Sequence, residues 1–358
     1  MESEVKKVLK TLNPRRVWLP VAIGLAVPLY LFYQEGQTKS APWALAADGK
    51  PLYLLLAVVA FALRDVGYIQ RFRVLTHKQL SWSSSFYISV LWEFSSAVTP
   101  STIGGGFVAI FLLMREGISF GRALAYIIVI SIFDNVLFLV AASLGFWGAY
   151  DGIFAQMHTA SETLGTSISW AFWCVQTFVA CYTAAMAFAI FVRPTFFKWT
   201  LCALTSVGFL KRWNPAAHKQ GDEMILASKA MQGKRASYWL GVLATTFIAW
   251  SMRYCILNCI AAAYKPLNWD QHVMLFGRQV VMWTLMLASP TPGSSGTAEF
   301  FYQKLYGGAM QEYTLITNIL WRVLTYYLYL LLGIVCLPRW IRRTFDRKIP
   351  SPLNRHPR

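Results

Sequence analysis

Charged side chains interrupt stretches that are otherwise apolar: Arg64, Asp65, Glu93, Asp134, Arg253, Arg278, Glu299 and Arg322. Burying a charge in hydrocarbon is costly, so each is a candidate functional group, although Arg64 and Asp65 are also placed to snorkel from the end of their run. The guanidinium forks suit a phosphate, which they bind bidentately. Helices that unwind nearby would add free N–H donors to the same anion. The rest of such a substrate would be apolar and slide between helices. A second reading remains open, because buried guanidinium and carboxylate can simply satisfy each other, Arg278 and Arg322 being the natural partners of Glu299 and Asp134. No nucleotide loop, metal-ligand spacing or Ser–His arrangement accompanies these charges, so no catalytic residue, metal or cofactor is expected. The six cysteines lie in or beside apolar runs and read as small apolar residues.

The elements that must position these groups follow from the apolar runs. With 56% hydrophobic and 14% charged residues, the chain is an integral membrane protein. Runs near 17–33, 51–69, 123–147, 168–192, 238–263 and 313–337 are each long enough to cross about 30 Å of hydrocarbon as helix. Two tracts break the pattern. Residues 288–299 read ASPTPGSSGTAE and residues 99–106 read TPSTIGGG, each inside apolar sequence. Proline removes a backbone donor and glycine permits an unwound chain, so neither tract continues a helix. Each is a surface loop or the tip of a re-entrant hairpin; broken backbone survives at membrane depth only against protein or a water-filled cavity.

Charge distribution gives the orientation. Most of the 33 Lys and Arg residues fall in the N-terminal stretch Lys6–Arg16, around Arg71–Lys78, at Arg115 and Arg122, across 193–235, and after Arg339. The formal charge of +17 is therefore a topology signal rather than a nucleic-acid footprint, and it places both termini in the cytoplasm of an inner-membrane protein. Lys6–Arg16 ahead of an apolar run reads as a signal-anchor. The stretch 82–114 then enters from and returns to the inside, whereas 272–303 enters from and returns to the outside. Each break opens with Thr-Pro, then comes a glycine turn (Gly117; Gly307-Gly308) and a helix with one charge (Asp134; Arg322). This pattern predicts one all-α transmembrane domain over 1–358, a polytopic bundle with two opposed re-entrant hairpins in an inverted repeat. Its units are 82–147 and 272–337, separated by an amphipathic cytoplasmic segment at 194–237 in which 221–235 reads as a short exposed helix.

The motifs SPTPGSSGTAEFF with Arg322, and TPSTIGGG with MREGISFGRA and Asp134, resemble the lysylphosphatidylglycerol synthase transmembrane-region family. The resemblance runs from about Arg64 to Arg322. It implies movement of an aminoacylated or polyisoprenyl-type lipid between leaflets, and it favours Thr291, Pro292, Gly293, Gly296, Glu299 and Arg322, with Pro100, Gly104 and Gly105 in the first half. Two departures stand out. Gly106-Phe107 replace the Glu or Gln that often follows the first glycines, and no aminoacyl-transfer domain is expected after Arg339. The sequence thus points to translocation of an anionic or head-group-modified lipid, with a second copy or a membrane enzyme as protein partner. A non-transporting partner of a lipid-linked glycosyltransferase or synthase is the alternative, and an intramembrane transferase the third. Cysteines introduced near Asp151 and Lys265 should react with an impermeant thiol reagent added outside sealed cells, and those near Lys219 and Arg347 should not. Labelling near Lys219 would overturn the orientation.

Overall fold

The computed structural model describes residues 45–99, 103–160, 162–206, 208–287, 289 and 291–345, with the single positions 26, 30 and 33. The expected span at 17–33 lies almost wholly outside the described residues, as do Lys6–Arg16, Pro100 and 346–358. Among the described residues every regular element is helical. In chain order they are α1 Pro51–Leu75, α2 Trp82–Val98, α3 Ile103–Arg115, α4 Phe120–Ala160, α5 Glu162–Ala187, α6 Pro194–Thr205, α7 Asn214–Met231, α8 Ala236–Tyr264, α9 Trp269–Leu287, α10 Thr297–Met310, α11 Thr314–Arg322 and α12 Leu328–Phe345. Single π turns, Phe188–Val192 and Val323–Tyr327, extend α5 and join α11 to α12.

Among the described residues, five stretches are long and apolar enough to cross a membrane: Pro51–Leu75, Phe120–Gly145, Ser169–Val192, Ala236–Tyr264 and Pro292–Thr344. At 25 residues, α1 is about 38 Å long, beyond the hydrocarbon thickness. Pro51 opens it, where its missing N–H costs nothing, and His77 and Lys78 at φ 51° and 62° turn the chain out of it. The Ser81 hydroxyl then accepts from the Ser84 N–H at 3.1 Å and starts α2. α8 lies along α1 through small residues. A Cβ on Gly67 would sit 3.2 Å from Ala249, and one on Gly241 3.1 Å from Val74.

Helices flank each broken tract and pack as pairs. α2 and α3 run antiparallel, with the Ser84 hydroxyl donating to Glu116 at 2.8 Å. α9 and α10 also pack together, and the Tyr306 hydroxyl donates to the Leu275 carbonyl at 2.9 Å. The second glycine turn is not where the sequence places it. Gly307 and Gly308 continue α10, and the chain reverses at Gln311, whose φ is 51°. The stretch between the expected spans 123–147 and 168–192 is helical on both sides of residue 161. The segment 194–237 also differs in part. No residue of α6 is buried, but α7 buries Ala217, Gly221, Ala227, Ser228 and Met231 instead of standing exposed. Gly121 of α4 permits this approach, since a Cβ there would lie 3.0 Å from Leu226.

Buried apolar side chains form two main clusters stacked along the helices. On α1, Ala57 and Ala60 belong to one, Phe72 and Leu75 to the other. The same switch occurs on α4 between Ile132 and Phe138, on α8 between Val242 and Tyr254, and at Trp321 and Tyr326 across the last π turn. A tight contact fixes one cluster to α12: a Cβ on Gly333 would strike the Phe94 ring of α2, whereas Gly307 has nothing within 4 Å. Gly333→Ala should therefore lower stability by about 1–3 kcal/mol through overpacking. Gly307→Ala should be neutral or slightly stabilising, by up to about 1 kcal/mol. Thermal unfolding of the two variants in detergent checks the contrast; equal midpoints would remove Gly333 as a packing constraint.

Candidate functional site

Between the two clusters lies a cavity of about 560 Å³ whose wall includes Arg64, Arg71, Glu93, Asp134, Arg253 and Arg322. Its walls come from the second half of α1, from α2 and α3, the first half of α4, the end of α5, Gln220 of α7, the middle of α8, the end of α9 with the loop after it, and the residues around the last π turn. The far end is closed by packed rings: Tyr302 stacks on Tyr306 at 4.7 Å and on Trp321 at 5.7 Å. Phe107 of α3, Tyr182 of α5 and Leu287 of α9 line the cavity and are themselves exposed.

Each arginine of the wall is held by a carboxylate. Arg322 donates from Nε to Glu299 at 2.8 Å and from Nη1 and Nη2 to the Gly293 carbonyl, each at 3.2 Å. The other Glu299 oxygen accepts from the Gly296 N–H at 2.7 Å, so this carboxylate both caps α10 and neutralises α11. The sequence SPTPGSSG makes this possible. Gly293 and Gly296 adopt φ of 56° and 83°, and any Cβ on Gly293 would strike the Tyr326 ring. Thr291 stitches the loop by donating to the Ser295 carbonyl at 2.9 Å, and Pro292 opens its 3-10 turn.

The remaining pairs ring the cavity. Arg253 donates to Glu93 at 3.2 Å and to the Tyr68 hydroxyl at 2.7 Å, and packs 4.9 Å above the Trp283 ring. Asp134 accepts from Arg71 at 2.5 Å and from the Trp250 indole at 2.8 Å, both on one oxygen. Arg64 pairs with Asp65 at 3.0 Å, and the Tyr329 hydroxyl joins the two, accepting from Arg64 and donating to Asp65. In three pairs the carboxylate is the more exposed member: Glu93 at 28%, Asp134 at 23% and Asp65 at 21%, against 13%, 3% and 1% for their arginines. Of these carboxylates, Glu93 and Asp134 line the cavity together with their arginines, and Asp65 does not.

Several expectations change. Asp134 is held by Arg71, not by Arg278, which is buried in α9 outside the cavity wall. Arg71 is not a loop residue. It is 3% exposed inside α1, and the i, i+4, i+7 spacing of Arg64, Tyr68 and Arg71 marks the face the sequence reading missed. Arg64 does not snorkel, since it lies midway along α1 and is buried. Glu299 stands behind the wall and supports Arg322, whereas Thr291, Gly293, Glu93, Asp134 and Arg253 reach the cavity itself. Gly104 is helical in α3, and Gly105 brings α3 against Ser96 and Trp92 of α2. Tyr68, Trp250, Trp283, Tyr326 and Tyr329 were also missed, because aromatic residues in an apolar helix look the same whether they face lipid or a charge.

A bundle of apolar helices around an internal ionic cavity defines a multi-pass membrane protein. Residues 17–333 match the family described as the lysylphosphatidylglycerol synthase TM region, and the chain belongs to it. It is also similar to a UPF0104 membrane protein of Archaeoglobus fulgidus, 23% identical over 330 residues that cover 88% of this chain and 94% of that one.

Removing one member of the enclosed pair strands the other. Arg322→Gln or Glu299→Gln alone should cost about 3–5 kcal/mol. The double variant should recover much of the loss, because no unpaired charge remains. Thermal unfolding of the three variants measures the coupling, and additive losses would show that the two side chains act independently.

Proposed function

We propose that the protein moves a lipid with an anionic or modified head group between leaflets. The head group would sit in the ionic cavity and the acyl chains would trail past Phe107, Tyr182 and Leu287. One observation carries this reading: donors on wall residues lack an acceptor among the described residues. They are Arg71 Nε, Arg253 Nε, Ser89 Oγ, Trp283 Nε1 and Trp321 Nε1. Buried donors normally find partners, and phosphate or ester oxygens would supply them after small side-chain shifts. The positions of Glu93 and Asp134 on the wall, each more exposed than its arginine, favour a head group that adds an amine to its phosphate. No covalent step belongs to this reading.

The two hairpins are, in this proposal, re-entrant and related as an inverted repeat, with tips meeting beside the cavity. The basic ends of α1, α3 and α7 face the cytoplasm, the positive-inside bias placing both termini there. The wall residues of α1, α4, α5 and α7 lie toward that same side, so the described state would accept lipid from the inner leaflet.

Purified protein in liposomes should speed movement of labelled phosphatidylglycerol or an aminoacylated derivative between leaflets. The double variant Glu93→Gln with Arg253→Gln keeps the charge balance and should fold, yet transport should fall by about tenfold or more, the worth of one or two charge-assisted hydrogen bonds. Folded wild-type protein that moves neither lipid would sink the proposal and favour a non-transporting partner subunit.

A further inference from the structure

A second depression, of about 540 Å³, lies between α4, the π turn after α5, the end of α7 and the start of α8, and shares no wall residue with the ionic cavity. Its floor is aromatic. Trp239 stacks on Phe133 with centroids 6.2 Å apart and planes 2° apart, and Phe191 meets its edge at 5.4 Å. Leu240, Leu243 and Phe247 extend the apolar surface along α8, all exposed. One end of the depression is basic. Gly233, at φ 72°, turns the chain so that Lys234 forms part of the wall, and Arg235 follows as the N-cap of α8 without a side-chain bond to its first turn.

The Lys234 ammonium donates to His77 Nε2 at 2.7 Å and lies 5.2 Å from the Tyr238 ring centroid. Neither contact cancels its charge. Burial and the nearby ammonium both hold the His77 pKa below its usual value, which keeps the ring a neutral acceptor. Among the described residues no carboxylate pairs with Lys234. The contrast with the cavity is direct: there each wall guanidinium already holds a carboxylate, and here the cation has none. A peptide backbone would need hydrogen-bond partners that Phe133, Phe191 and Trp239 cannot give, whereas an acyl chain needs none.

We propose that this groove holds an intact anionic glycerophospholipid of the leaflet on the basic side, separate from any transported lipid. Its phosphate sits at Lys234 and the first turn of α8, where the helix dipole adds to the attraction. One acyl chain lies on Trp239 and Phe191 and continues beside Leu243. The bound lipid would bridge α4, α5, α7 and α8 at a seam that protein side chains leave unfilled.

Full-length protein in phosphatidylcholine nanodiscs, doped with phosphatidylglycerol bearing a diazirine in its acyl chain, tests the assignment. After irradiation, mass spectrometry should find adducts concentrated on Phe188–Val192 and Trp239–Phe247. Lys234→Gln should lower them about fivefold, the worth of one basic residue at a lipid phosphate. Unlabelled phosphatidylglycerol should compete, and inorganic phosphate should not. The double variant Glu93→Gln with Arg253→Gln, confined to the ionic cavity and balanced in charge, should leave this labelling unchanged, separating the groove from the transport reading. Adducts spread evenly over the exposed faces of α1 and α5, no effect of Lys234→Gln, or competition by inorganic phosphate alone would each overturn it.

Discussion

The structure depends on one constraint: every guanidinium in the wall between the two apolar clusters must meet a carboxylate. Neither cluster can solvate a charge, so a wrong register anywhere leaves an ion stranded at a cost of several kcal/mol. Arg71 ties α1 to α4 through Asp134, Arg253 ties α8 to α2 through Glu93, and Arg322 ties α11 to α10 through Glu299. Arg64 meets its neighbour Asp65, and Tyr329 extends that pair to α12. Apolar packing alone would tolerate one helix sliding against another. These pairs fix the vertical position of each helix, which is a statement about specificity more than net stability.

How much of this was legible in the sequence depends on the kind of signal. Helix type and the interruptions between helices follow from composition and from Thr-Pro and glycine tracts, because proline and glycine act on the backbone locally. Glu299 with Arg322 was also readable, since both lie near one break and pairing needs only one reversal between them. Asp134 with Arg71 was not, because 63 residues separate them and Arg71 sits close to the cluster of loop cations. Counting charge assigned it to the loop. Helix phase, with Arg64 and Tyr68 on the same face, would have drawn it inward. The turn at Gln311 escaped for a different reason: glycine was expected to make it, but Gly307 and Gly308 remain helical and a non-glycine residue takes the positive φ.

The molecule keeps two charge environments apart. Inside, anions and cations stand in contact, and the wall carries arginines already paired with carboxylates. Outside the ionic cavity, at the start of α8, an ammonium stands on an aromatic groove with neutral histidine for company. A head group with internal charge balance suits the first surface, and a singly anionic one suits the second. One membrane could thus supply two ligands without competition, each selected by how far the local protein charge is already cancelled.

The π turn at Val323–Tyr327 sets a further condition on the last helices. A π turn amounts to one extra residue in an α-helical path, and each residue of an α-helix advances about 100° around the axis. Arg322 and Tyr329, seven positions apart, both face the cavity across this insertion, and Gly333 meets Phe94 beyond it. The insertion behaves as a phase shifter between two helices that answer to different neighbours, α11 to the loop before α10 and α12 to α2. Closing this turn to regular α geometry without removing a residue would change no charge and no hydropathy. It would rotate Tyr329 and Gly333 by about 100° away from their partners together, so the backbone form of this turn is as restrictive as residue identity.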